Sequence, residues 1–196
     1  ELLAGNFKSL GDSIQEKVNH KEMSSIYPPV SILVSAVLMK ISYSTLPYKI
    51  LFFICDLIII LFIVKILRKL EKPIHWALLY VMSPLVLLYG VGECHLDILQ
   101  NVLLITGIYF LSYSKLKRMI ACGFFLLGCA VLTKYLAIIA VPFLINRKNI
   151  SFLLFFLLPF ASYFLFIESG MWESLEIFYG TMHFNDAVPR LLRFIA

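Results

Sequence analysis

The stretch Glu93-Cys94-His95-Leu96-Asp97 sets two carboxylates and an imidazole within five residues, directly after Gly90 and Gly92. Such groups can hold a cation, bind sugar hydroxyls or move a proton as acid and base. If the stretch is helical, Glu93 and Asp97 share a face and His95 points elsewhere. If it is extended, all three project to the same side. The plainer alternative is a helix start that attracts acids through its dipole and does no chemistry. Lys134 is the second candidate, alone between two short apolar segments. It could meet a phosphate as a point charge, or merely snorkel from a hairpin turn. His20, Lys21 and Glu22 precede Tyr27-Pro28-Pro29 and are surface groups unless that lead-in folds over the site. Asp56 interrupts an apolar run one heptad after Lys49, and a structural pair between them is the expectation. Lys40 and Glu168 complete the ionisable groups in or beside apolar segments, a class that usually faces a cavity or a partner.

The elements that must position these groups are hydrophobic throughout. Of 196 residues, 61% are apolar and 15% charged, against about 25% charged in an average soluble domain. Mean hydropathy is +0.90, and a soluble fold of this size would be coated in hydrocarbon. A soluble enzyme is thereby excluded. Seven apolar segments follow one another: Val30–Leu46, Ile50–Val64, Ile74–Tyr89, Leu96–Tyr113, Met119–Thr133, Tyr135–Ile145 and Ile150–Ile167. A full span needs about 20 apolar residues, with ~17 the lower limit. The first, fifth and sixth segments are short, so re-entrant or broken helices are expected among spanning ones. Nothing alternates with the period of two that a membrane barrel requires. The fold class is therefore all-α, a multi-pass transmembrane helical bundle. Residues 1–28 form a polar loop, 29–168 the helical core, and 169–196 a tail with an amphipathic segment.

Placing the charges sets the topology. Nine of the 17 basic residues fall in three runs: Lys65/Arg68/Lys69/Lys72, Lys115/Lys117/Arg118 and Arg147/Lys148. Short cytoplasmic loops are rich in Lys and Arg, and two segments separate each run from the next, so all three fit the cytoplasmic side. Glu93 to Asp97, Lys134 and the tail then share the extracytoplasmic side. Residues 1–26 join them only if Val30–Leu46 dips into the bilayer or lies along it, which its length favours. Such runs orient membrane proteins, so a nucleic-acid partner is not expected. The four cysteines contain no C-x-x-C pair, and neither a disulfide nor a cysteine metal site is expected. P-loop, dinucleotide, serine-hydrolase and zinc-protease motifs are absent.

Three motifs in order carry a family resemblance. Tyr27-Pro28-Pro29 resembles the Y-P-P that closes the first extracytoplasmic loop of the GT-C superfamily of integral-membrane glycosyltransferases, in particular its bacterial mannosyltransferase-like members. Ser83-Pro84 followed by Gly92-Glu93-Cys94-His95-Leu96-Asp97 is similar to their S-P…G-H-x-D stretch. Leu132-Thr133-Lys134-Tyr135 with Pro142 is similar to their L-T-K-Y…P hairpin. The resemblance covers about residues 19–145, and Phe184-Asn185 in the tail matches only loosely. It implies an enzyme of the bacterial inner membrane that transfers a sugar, such as mannose, from a polyprenyl-phosphate donor to an extracytoplasmic acceptor. Asp97, Glu93 and His95 become the expected catalytic groups, and Lys134, Tyr27 and His20 the expected substrate-binding ones. A divalent metal ion is the one cofactor the acids could call for. The family's principal catalytic acid lies just after a first span, and Glu1 and Asp12 do not match that motif, so this chain reads as a fragment. A transporter or flippase of a lipid-linked solute is the rival, although it should show inverted repeats and none is visible. A non-catalytic membrane scaffold is a third reading. The resemblance also implies that Y-P-P, H-x-D and the lysine hairpin share one face.

Overall fold

A computed structural model describes residues 24–147, 149–167 and 170–181. Its regular elements are all helical: α1 (Pro29–Ile41), α2 (Leu46–Lys69), α3 (Leu78–Val81), α4 (Asp97–Tyr113), α5 (Lys117–Val131), α6 (Val141–Leu144), α7 (Leu153–Leu157) and α8 (Met171–Thr181), joined by 3₁₀ turns and a π turn at Val86–Gly92. No strand occurs among the described residues. Two compact units result, one from Tyr27 to Tyr163 and one from the remaining residues at both ends of the chain. In the second unit the Ser24 amide donates to the Ser174 hydroxyl at 2.9 Å. The expected sites in the first unit are described below; His20, Asp12, Glu1, Glu168 and Phe184-Asn185 lie outside the described residues.

Helix α2 is the one described helix long and apolar enough to cross a membrane, and only 22% of its most apolar stretch is buried in the protein. Phe53, Ile54, Leu57 and Leu61 are about half exposed, a surface that hydrocarbon satisfies and water does not. The helix outruns the apolar segment Ile50–Val64 because Lys65, Arg68 and Lys69 favour a helix C-terminus. It stops in a Schellman turn: Lys72 N–H donates to Leu67 O at 2.9 Å, Glu71 N–H to Arg68 O at 3.3 Å, and Glu71 takes the left-handed φ of 54°.

Helices α4 and α5 form the central antiparallel hairpin. At its middle Gly107 and Gly123 face each other so closely that a Cβ on Gly107 would meet Gly123 O at 3.1 Å, the close approach small residues allow in membranes. Further on, a Cβ on Gly128 would collide with the Phe156 carbonyl, so α7 packs directly on α5. Helix α2 runs parallel to α4. Phe52 and Cys55 pack with Ile98 and Leu99 at the start of both helices, and Phe62 meets Tyr109 and Phe110 toward their ends.

Helix α1 is tied to one end of the hairpin at its start, and to α2 at its middle. Pro28 and Pro29 are buried; Val30 N–H donates to Leu132 O at 3.0 Å, and the Ser31 hydroxyl to Thr133 O at 2.6 Å. Tyr48, in the first turn of α2, donates to Ser35 O at 3.3 Å and stacks edge-on with Phe52. Thirteen residues of helix span ~20 Å, short of a ~30 Å hydrocarbon core. Helix α2 then starts at the Asp97 end of the hairpin, where α1 also starts.

Two local expectations need correction. Ile74–Tyr89 is not one helix: it breaks into a 3₁₀ turn at Ile74–Ala77, the four-residue α3, and the π turn. Pro84 offers no N–H and pushes Ser83 out of the helical region, which accounts for the interruption. Asp56 does not pair with Lys49. It accepts a hydrogen bond from Tyr80 OH at 2.6 Å, and the broken segment is what brings Tyr80 there.

Ser31→Ala removes the donor from a buried carbonyl and should lower unfolding free energy by about 1–2 kcal/mol. Gly128→Ala should cost about 1–3 kcal/mol through overpacking. Denaturant unfolding in micelles reads both, and wild-type midpoints for the two variants would contradict this packing.

Candidate functional site

Asp97 is the first residue of α4, where the helix dipole favours a carboxylate. Lys134 leaves α5 in extended conformation, after Thr133 and Lys134 amides both close on Ala130 O. The hairpin is balanced about its glycine contact, so the two residues arrive side by side. Lys134 Nζ donates to Asp97 Oδ1 at 2.5 Å. The second carboxylate oxygen, Oδ2, lies 3.2 Å from His95 Nδ1. Asp97 therefore holds an imidazole with one oxygen and an ammonium with the other. All three side chains remain about half exposed, so they are open to a ligand.

The loop before Asp97 explains this geometry. The π turn ends with Glu93 N–H on Leu88 O at 3.0 Å, and Cys94 takes a left-handed φ of 58°. Reversal at Cys94 lets His95 N–H bond back to Gly90 O at 3.1 Å, while a Cβ on Gly90 would strike Ile98 Cδ1. Neither a simple helix nor a simple strand results. His95 is turned onto Asp97, whereas Glu93, exposed on the other side of the reversal in sequence, bonds to neither. Non-glycine residues in the left-handed region cluster at functional sites, and π turns do likewise.

Tyr27 is exposed immediately before the two buried prolines. Because Val30 and Ser31 are fastened to Leu132 and Thr133, the Y-P-P start lies beside the lysine hairpin. The structure thus gathers Tyr27, Lys134, Asp97 and His95 at one end of the hairpin. Lys40 is exposed in the last turn of α1 and joins no described ion pair.

A groove of about 450 Å³ opens from His95 and Asp97 between the π turn and α4. Its walls are mostly apolar, from Leu85, Val86, Tyr89 and Ile98, with Tyr80 and Asn101 adding polar groups. Asn101 lies one turn after Asp97, a spacing that sets both on one face of α4. Tyr80, oriented by Asp56, had no local signal. Tyr135, next to Lys134, shares a 2.9 Å hydrogen bond with Tyr163 OH, a pair joined only by the return of the chain.

A divalent cation is the cofactor these acids could call for. Among the described residues no group of three or more His, Cys, Asp or Glu side chains converges to hold one, and the Lys134 ammonium occupies the position beside Asp97.

The sequence pattern described as alpha-(1->6)-mannopyranosyltransferase, N-terminal domain, matches residues 8–147. No curated protein and no solved structure matches the chain.

An exposed ion pair contributes only about 0.2–1 kcal/mol. A double-mutant cycle on Asp97→Ala and Lys134→Ala, read by unfolding, should give coupling of that size. Coupling of several kcal/mol would mark the pair as a structural clamp instead of a site.

Proposed function

Because the chain belongs to the alpha-(1->6)-mannopyranosyltransferase family, we propose that it takes mannose from a polyprenyl-phosphate donor and passes it to an acceptor on the extracytoplasmic side. The family makes it a glycosyltransferase domain. In the reaction the bond from the sugar's anomeric carbon to the phosphate oxygen breaks, and one to an acceptor hydroxyl oxygen forms. The hydroxyl proton needs an acceptor, and the departing phosphate needs a cation.

The single observation that carries the reading is Asp97 bridging His95 and Lys134 at the mouth of an apolar groove. With Asp97 on Nδ1, the imidazole keeps Nε2 for the acceptor's proton. Asp97 also aims Lys134, which meets the leaving phosphate as a point charge. On this reading exposed Glu93 serves sugar hydroxyls or the acceptor, and Tyr27, at the same end of the hairpin, contacts the donor; His20 lies outside the described residues. A cleft of this volume is in the usual ligand range, and its apolar walls suit the first isoprene units of the donor. A long isoprenoid partitions into hydrocarbon, which gives a membrane enzyme its reason.

Multi-pass insertion of the GT-C type is part of the same proposal: α2 spans, and the hairpin α4–α5 and the return through α7 cross beside it. No finding supports the transport alternative, and a mannosyltransferase family favours transfer chemistry.

Lys134→Ala and Asp97→Ala in the full-length protein should each reduce release of free polyprenyl phosphate roughly 10²-fold, the usual effect of losing one charge-stabilising group. Lys134→Arg should keep part of the activity. Normal transfer by both alanine variants would sink the site assignment.

A further inference from the structure

The end of the hairpin opposite Asp97 gathers cations from separate stretches of chain. Because α2 and α4 run parallel and α5 returns, Lys65, Arg68 and Lys69 at the end of α2 lie at the same end as Lys115, Lys117 and Arg118 in the α4–α5 turn. The contact is direct at Lys65, whose Nζ lies 5.0 Å from the Phe62 ring centroid and 5.8 Å from that of Tyr109. Tyr109 stacks on Tyr113, two residues before Lys115. Beyond the Schellman turn, Lys72 Nζ lies 5.9 Å from the Trp76 ring. Tyr135 and Tyr163 meet at the catalytic end, so the turn carrying Arg147 between them belongs to the basic end.

Three features distinguish this end from an ordinary solvated surface. First, Glu71 is the one carboxylate in these turns, and no described ion pair ties any of these cations to an acid. Second, Arg68, Lys69, Lys72, Lys115, Lys117 and Arg118 are all exposed. Third, they alternate with exposed apolar side chains, including Leu70, Ile74, Trp76 and Leu116. Unpaired cations beside aromatic and aliphatic groups match a bilayer interface with an acidic headgroup layer. Four to eight Lys and Arg next to a spanning helix are the number that such a layer attracts.

We propose that this end binds the headgroups of anionic phospholipids in the facing leaflet, enriching them around the turns at Leu70–Trp76 and Ser114–Arg118. The inference rests on the membrane placement proposed above, not on the transferase chemistry. Bound anionic lipid would hold the basic end at a fixed depth and so keep the Asp97 end at the opposite interface.

Trp76 is a built-in reporter. The full chain carrying Trp172→Phe, reconstituted in phosphatidylcholine vesicles, is compared with a minority of brominated phosphatidylglycerol or the same fraction of brominated phosphatidylcholine. Quenching of Trp76 by the brominated anionic lipid should be at least twofold stronger. The preference should vanish in the Arg68→Gln/Lys69→Gln/Lys117→Gln/Arg118→Gln variant, and in wild type at 0.5 M salt, where exposed charges are screened. Inorganic phosphate at 10 mM should leave it unchanged; displacement by phosphate would mean a free-anion site and overturn the proposal. Equal quenching by both lipids would also overturn it, with the membrane placement intact. No quenching by either would overturn the placement as well.

Discussion

The contact between Gly107 and Gly123 fixes the register of the central hairpin, and the site depends on that register. A Cβ on either glycine would meet the carbonyl oxygen of the other, at 3.1 Å from Gly107 and 3.2 Å from Gly123. Counting from the contact, ten residues lead back to Asp97 and eleven lead on to Lys134, so both arms rise by ~15 Å at 1.5 Å per residue. A slip of one turn would move one partner by about 5.4 Å, beyond the reach of the Lys134 to Asp97 hydrogen bond. The ion pair itself is exposed and adds little stability. Packing therefore places the charges; the charges do not hold the fold.

Two further devices adapt that frame to chemistry. The Y-P-P start uses proline where the first turn of a helix tolerates it, and spends the amide of Val30 and the hydroxyl of Ser31 on carbonyls of the lysine hairpin. That joins parts of the chain a hundred residues apart, and stiffens the backbone from which Lys134 projects. On the other side, Pro84 breaks what would have been a continuous helix, the π turn follows, and left-handed Cys94 reverses the chain into His95. The unpacked space left by that break is the groove. Irregular backbone of this kind survives at membrane depth where it lines a cavity.

Much of this was legible in the residues. Apolar runs gave the helices, because a chain with so few charges has little choice but helix in hydrocarbon. Asp97, His95 and Lys134 stood out because ionised groups are costly among apolar segments, and the order of three motifs pointed to the family that residues 8–147 match. Long-range partners were not legible. Asp56 suggested Lys49 by helical spacing, yet Tyr80 reaches it through a break whose course no local pattern specifies. Glu93 and Asp97 looked equivalent by type and spacing, and a single left-handed residue separates them. The extent of α2 was underestimated, since basic residues that end an apolar run also suit the end of a helix.

The central claim is that Tyr27, His95, Asp97 and Lys134 meet at one interface, with the basic turns at the other. Impermeant maleimide labelling of single cysteines tests it, using a background in which Cys55, Cys94, Cys122 and Cys129 are replaced. In intact cells, cysteines at 95 and 134 should both label, while one at 117 should label only after permeabilisation. Labelling of 95 and 134 from opposite sides, or of 95 and 117 from the same side, would contradict the account.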